Sequence, residues 1–337
     1  MKTRFISAAL ASALITALPA LPAAAADVTL KASHQFPGGK GDPRDEMVQM
    51  IARDVAAANV GLEIKVFPGS SLVKAKEQWK AMLTGQIAMT SFPLDYASGF
   101  HPQFGATLMP GLVKGHAHAK RINASPFMDE IRSIIESGGV KVLADAWLAG
   151  AFGGKDKCIL VPEDANGLKV RSAGSTFAEM WAGAGASIVS IPSNEVYNAL
   201  QQGVAQGTDT STGSFVSFRL YEQLKCVTAP GENALWFMYE PVLIGKKTWD
   251  KLNAAQQKAL MAASKKAEDW FAAQSKGLDD KMVAAYKKAG VEVVEMTDAQ
   301  ADAWRGGTED LLQDLRREGP RWCRTDPEGP GRQVSEA

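Results

Sequence analysis

Signatures of chemistry are what this chain has least of. No Gly-x-Ser-x-Gly elbow occurs, because Gly213-Ser214 runs on into Phe215-Val216-Ser217. A phosphate-cradling loop is missing too: Gly153-Gly154-Lys155 continues with Asp156 and has Ala149 where the leading glycine would stand. Gly183-Ala184-Gly185 lacks the third glycine of a dinucleotide fingerprint, and there is no His-Glu-x-x-His. With only four histidines in 337 residues, acid–base candidates are few, so a binder is expected rather than an enzyme. His116 and His118 form a His-x-His pair, but on a helix that spacing turns the rings to different faces. They are read as solvated surface, and no metal or cofactor is expected.

Charge of one sign is equally scarce, since 37 Lys and Arg residues stand against 37 Asp and Glu. A near-neutral chain has no electrostatic footprint for a polyanion, which excludes nucleic acid as the expected partner. Long apolar runs are confined to the N-terminus, where Phe5 to Leu18 falls short of the roughly 20 residues a spanning helix needs. No direct membrane insertion is expected.

What is present at that end reads as an export signal. Lys2 and Arg4 precede the apolar stretch, and Pro19, Pro22 and the run Ala23 to Ala26 supply a small-residue cleavage site. Residues 1–26 are therefore expected to be removed, leaving 311 of the 337 residues in the periplasm. Asp27, not cysteine, follows the cut, so no lipid anchor is indicated. Hydrophobic residues at 46% and charged residues at 22% suit a packed core, and the length exceeds what one core usually serves, so two lobes are expected. Cys158, in the apolar run to Val161, and Cys226 both read as lying on short strands. A Cys158–Cys226 disulfide follows if those strands are neighbours; otherwise the thiols are free, with Cys323 left over in either case.

Strand-like and helix-like segments alternate through the chain, which indicates an α/β fold with mainly parallel sheets. Strands are expected at 28–32, 62–67, 87–92, 140–147, 168–171 and 187–191, with a further apolar run at 235–244. Helical spacing appears at 45–58, 74–83, 176–184 and 194–202. Residues 253–289 are rich in Ala, Lys, Gln and Leu, without proline, and predict one long helix or two joined near Gly277.

The stretch from Pro162 to Ser211 carries the most specific pattern. Pro162-Glu-Asp-Ala-Asn-Gly-Leu-Lys-Val-Arg171 is followed by Phe177-Ala-Glu-Met180, then Glu195-Val-Tyr-Asn-Ala-Leu-Gln-Gln-Gly203 and Gly207-Thr-Asp209. With Gly69-Ser-Ser-Leu72, the segment Trp79 to Met89, and Tyr221-Glu-Gln-Leu-Lys225, this resembles the DctP-type extracytoplasmic solute receptors of TRAP transporters. The resemblance implies a two-lobe fold like that of periplasmic binding proteins, with crossing strands and a long helix joining the lobes. Lobe I would hold 27–148 and about 237–272, lobe II 149–236 and about 273–318, with 319–337 a disordered tail.

The same resemblance implies capture of a small-molecule carboxylate and delivery to the TRAP membrane permease, with Arg171 as the carboxylate anchor. A guanidinium at a strand end facing the interlobe cleft suits that role, being permanently charged and able to form two parallel hydrogen bonds. The chain departs from the family at two points. The position of a second arginine falls on Ala151 or Phe152, and that of a ligand-holding asparagine on Thr210, followed by Ser211. Aromatic surface is expected instead from Trp147, Phe152, Phe92 and Trp236, with His34, Gln35, Pro93 and Ser193 also at the cleft. The expected ligand is a monocarboxylate with an apolar or aromatic remainder. The alternatives are a C4-dicarboxylate or sugar acid, an exported ligand sensor, or an exported enzyme.

Overall fold

The computed structural model describes residues 28–39, 41–230 and 234–306. The signal segment, the tail after 318 and Cys323 lie outside the described residues. The strands are β1 (Val28–Ser33), β2 (Leu62–Phe67), β3 (Met89–Ser91), β4 (Val140–Ala144), β5 (Trp147–Gly154) and β6 (Lys169–Ser172). They continue with β7 (Ser187–Ser190), β8 (Gly207–Ser211), β9 (Cys226–Thr228), β10 (Phe237–Tyr239), β11 (Val242–Gly245) and β12 (Glu292–Val294).

Two sheets result. The first runs β2-β1-β3-β11-β4 and the second β12-β9-β5-β8-β6-β7, with β10 pairing β5. β1 pairs in parallel with β2 and β3, and β6 does so with β7 and β8. The crossing strands β5, β10 and β11 pair antiparallel with their neighbours, so both sheets are mixed rather than mainly parallel. The physical reason is direction: a strand arriving from the other lobe enters the sheet from the opposite end. The chain crosses between β4 and β5 and returns between β10 and β11, a few residues later than the 236/237 boundary expected.

Helix Pro43–Ala57 shows how the local sequence builds lobe I. The Asp42 side chain accepts from the Arg44 backbone N–H, Pro43 sits in the first turn where its missing N–H costs nothing, and Asp45 and Glu46 face the positive end of the dipole. Met47, Val48, Ile51 and Val55 form its buried stripe against Leu30, Leu62 and Ile64. Each such side chain contributes about 1.5–3 kcal/mol on burial.

The segment after Asn253 is a single helix, Ala254–Lys288, started by a capping box between Asn253 and Gln256. Gly277 does not interrupt it. Leu260 and Phe271 pack in lobe I, while Met282 and Tyr286 pack in lobe II against Phe215 and Leu220. One rigid helix thus spans both bodies. Cys158 and Cys226 are joined by a disulfide, with Cα atoms 5.0 Å apart. Cys226 lies on β9, whereas Cys158 belongs to an irregular segment just after β5 and not to a strand.

Candidate functional site

The strand ends of the two sheets meet along a seam that carries a concentration of buried polar side chains. Ser33, Gln35, Ser91, Asp95, Thr210, Thr212 and Trp236 each hold a buried side-chain N or O atom without a hydrogen-bond partner among the described residues. Six of these lie at or just beyond the carboxyl ends of β1, β3 and β8, where open α/β sheets place ligands. Buried polar atoms are nearly always satisfied in folded proteins, so this cluster marks the seam as a place built to meet polar groups.

Arg171, at the end of β6, is fully buried and holds the lobe II side. Its Nε donates to the Ile191 carbonyl at 2.9 Å and its Nη1 to the Asp209 carbonyl at 2.6 Å. Asp209 receives the same Nη1 at 3.4 Å, and its other oxygen accepts from Trp181 Nε1 at 2.7 Å. Burial pushes the Asp209 carboxyl above its ordinary pKa, with Arg171 opposing. Nη2 is the less engaged nitrogen: it reaches across the seam to Tyr96 Oη at 3.2 Å and to Ser193 Oγ at 3.4 Å.

Tyr96 belongs to lobe I, in the turn after β3, and its hydroxyl is where several groups converge. Gln35 Nε2 donates to it at 3.3 Å and the Ser193 backbone N–H at 2.8 Å, while Ser193 Oγ lies 2.9 Å away. Phe92 packs edge-on against the Tyr96 ring with centroids 5.8 Å apart. The lobes are therefore in direct contact, closed on each other at the level of Arg171.

Two further ionisable groups stand in this seam. Asp95 packs against Gly174, where any Cβ would collide with its carboxylate, so glycine permits the close approach. Burial first, and the Asp209 charge second, push the Asp95 carboxyl up to about 7, against the opposing pull of Ser98, Lys76 and Arg171. Lys76, half-buried, donates from Nζ to Ser190 Oγ of lobe II at 2.9 Å.

The sequence-selected residues divide into two sets. Arg171, Ser193, Gln35 and Phe92 come together around Tyr96, with Pro93 capping the short helical turn that carries it. The others have different neighbours. Ser211 lies 3.1 Å from Arg44 Nη1, which also donates to Ser214 and Glu240 at 2.9 Å, while the rest of that guanidinium pairs with Asp42. Thr210 is opposite Ala151 on β5, and its hydroxyl has no hydrogen-bond partner among the described residues. Phe152 packs into an aromatic cluster with Phe177, Trp181 and Trp304 inside lobe II. Trp147 donates to Asn123 Oδ1 at 2.7 Å and stacks near Tyr239, beside the groove formed by His116, Arg132 and Lys276. Trp236 lies on Phe177 and over Gly150, where a Cβ would meet its ring. His34 is 3.2 Å from Asp45 and stacks on Phe36. His116 is not free surface: Nε2 is 2.7 Å from Asp279 and Nδ1 3.2 Å from Ser275 on the long helix.

Sequence reasoning missed Tyr96, Asp95 and Lys76 and gave Asp209 no role. Asp95 and Tyr96 follow β3 directly in Phe92-Pro-Leu-Asp-Tyr96, so the rule that selected His34 and Gln35 after β1 would have selected them too. No local signal marks Lys76.

Comparison with known proteins identifies the family and supports the two-lobe fold. Residues 38–318 match the family model for bacterial extracellular solute-binding protein, family 7 (DctP). A solute-binding protein of Albidiferax ferrireducens is 37% identical over 280 residues, 82% of this chain and 83% of its own length. The C4-dicarboxylate-binding periplasmic protein DctP of Rhodobacter capsulatus is 28% identical over 90% of this chain and 91% of its own. Among solved structures, a TRAP periplasmic solute-binding protein from Rhodoferax ferrireducens with bound malonate superposes with a TM-score of 0.78. It is 36% identical, covering 82% of this chain and 89% of that one. Relatives of this kind are receptors, not enzymes, and among the described residues no helix is long and apolar enough to cross a membrane. With 281 consecutive residues matched and two lobes closing on a buried arginine, the chain belongs to the DctP family of TRAP-type extracytoplasmic solute-binding proteins.

Proposed function

We propose that this chain, once exported, captures an organic acid by pairing its carboxylate with Arg171 and delivers the loaded, closed form to a TRAP membrane permease. The observation that carries the reading is the state of Arg171. Its Nε and Nη1 are held by backbone carbonyls and Asp209, so the guanidinium is locked in place, while Nη2 has only two long contacts, to hydroxyls. A carboxylate exchanges those long contacts to neutral hydroxyls for short ones in which both partners are charged, in the geometry a guanidinium matches. Tyr96 Oη, Ser193 Oγ and the unpartnered Thr210 hydroxyl are further groups able to meet ligand oxygens.

On Arg171 alone, the site takes a monocarboxylate, and Phe92 and Tyr96 give its remainder aromatic neighbours. One observation favours a second reading, a short dicarboxylate: the relative from Rhodoferax ferrireducens holds malonate. Closure moves the ligand out of water and joins the lobes, and the ligand drives it only to the extent that it binds the closed state better.

A thermal-shift screen of the mature protein tests the reading. Monocarboxylates with aromatic or straight-chain remainders are run beside dicarboxylates of three or four carbons. A ligand at 100 times its dissociation constant adds about 2.7 kcal/mol of stability, a visible rise in midpoint. Arg171→Ala is expected to abolish every such rise. A carboxylate that stabilises Arg171→Ala as well as the parent would overturn the anchor.

A further inference from the structure

Among the described residues, the seam holds a second cation that lies on the opposite lobe from Arg171. Lys76 sits in the short helical turn Ala75–Glu77, before β3. Its Nζ reaches across to Ser190 Oγ, at the end of β7, and lies over the Tyr96 ring, 5.7 Å from the centroid. Tyr96 is the same residue whose hydroxyl takes Arg171 Nη2 at 3.2 Å. One aromatic side chain thus has an ammonium above its face and a guanidinium at its hydroxyl end. Burial first, and the Arg171 charge second, hold the Lys76 pKa below its ordinary value, so the two cations sense each other through the seam. Asp95, Glu195 and Asp209 pull the other way.

Two like charges brought towards one another across closing lobes repel unless an anion lies between them. Asp209 offsets part of this for Arg171, but it is consumed by Arg171, Trp181 and the Ala173 N–H. Among the described residues no carboxylate is bonded to Lys76 Nζ; its hydrogen bond is to a neutral hydroxyl, which an anionic oxygen would replace on stronger terms. Ala151 and Phe152 bring no charge to the seam from β5, whereas Lys76 brings one from lobe I.

We propose that Lys76 is the second carboxylate-binding residue of this receptor, so that the site takes short dicarboxylates spanning the seam from Arg171 Nη2 to Lys76 Nζ. The inference rests on Arg171 being the anchor. Because Lys76 comes from the lobe opposite Arg171, the second carboxylate closes the cleft as it binds, and a dicarboxylate favours the closed form more than a monocarboxylate does.

Titration calorimetry on the parent, Lys76→Met, Ser190→Ala and Arg171→Ala separates the possibilities, with malonate and succinate as dicarboxylates and propionate and benzoate as monocarboxylates. Lys76→Met is expected to weaken dicarboxylates by about 10- to 100-fold, the worth of one charged hydrogen bond, and monocarboxylates by less than about 2-fold. Ser190→Ala is expected to leave both classes within about 2-fold. If Lys76→Met weakens both classes alike and Ser190→Ala reproduces the loss, Lys76 only latches the lobes and the proposal falls. It falls equally if dicarboxylate affinity is unchanged. Loss of all binding in Arg171→Ala with no effect of Lys76→Met leaves the anchor standing without the second site. Retention of binding in Arg171→Ala defeats the anchor, and with it this inference. Circular dichroism melting of each variant without ligand checks that it is folded before its affinity is compared.

Discussion

Asp95→Asn should make the receptor more stable at alkaline pH and remove a pH dependence that the parent shows. The parent carboxyl lies buried at the seam against Gly174, and burial together with Asp209 raises its pKa from 3.8 to about 7, with Ser98, Lys76 and Arg171 giving only partial relief. A folded state with the higher pKa keeps a proton that the unfolded chain releases. The contribution is therefore fully present below about pH 4 and is lost as pH rises towards about 7, after which the penalty is constant. At about 1.4 kcal/mol per pKa unit, a rise of about three units amounts to roughly 4 kcal/mol above pH 7. Asparagine keeps the shape and never ionises, but its amide meets the same buried surroundings and costs about 1–3 kcal/mol. The net gain is thus expected to be about 1–3 kcal/mol at pH 8, with no gain or a small loss at pH 4. Urea unfolding at several pH values between 4 and 8.5 measures both curves, and small-angle scattering at each pH reports whether the lobes stay closed. Parallel curves for parent and variant, with equal radii at every pH, would refute the idea that the seam holds Asp95 protonated. A parent that opens above pH 7 while Asp95→Asn stays compact shows the same penalty relieved by opening.

Two other substitutions probe the framework. Arg44 ties Asp42, Ser211, Ser214 and Glu240 together from three parts of the chain and lies 3.8 Å from the Phe36 ring centroid. Arg44→Ala leaves two buried carboxylates unpaired and should cost about 3–5 kcal/mol in urea unfolding. Adding Glu240→Gln should recover part of that, and a loss under about 1 kcal/mol would show the cluster to be dispensable. Cys158→Ser opens a crosslink between residues 68 apart in sequence and is expected to lower stability by about 2–4 kcal/mol. The same loss should follow from reducing agent in the parent and be absent on reducing the variant.

Arg171 was singled out because the motif that ends in it resembles the family's, and the structure places it buried near the end of β6 with Nη2 reaching Tyr96 of lobe I. A helical segment was legible because residues 253–289 lack proline and are rich in Ala, Lys, Gln and Leu, but that Gly277 leaves it unbroken was settled only by the structure. Phe152 illustrates the opposite case. Its position on β5 follows from the run of buried residues, but which layer of aromatics it joins depends on Trp181 and Trp304, far away in the chain. Ser211 and Thr210 are adjacent on one strand and so point to opposite faces. One joins the Arg44 cluster and the other has no partner, a division that no pattern in Gly207-Thr-Asp-Thr-Ser211 announces.

The sequence by itself determined the class of the protein: alternating strands and helices, a specific arginine-ended motif, near-neutral charge and no constellation for catalysis. These are local or compositional properties, set by side-chain periodicity and by which residue types are present. Tertiary structure alone decided the mixed direction of the sheets, because that depends on where the chain crosses between lobes. It also decided the meeting of Gln35, Lys76, Asp95, Tyr96, Arg171 and Ser193. These groups lie up to about 160 residues apart and share a seam only because two separately folded bodies are held face to face by two crossings and one rigid helix.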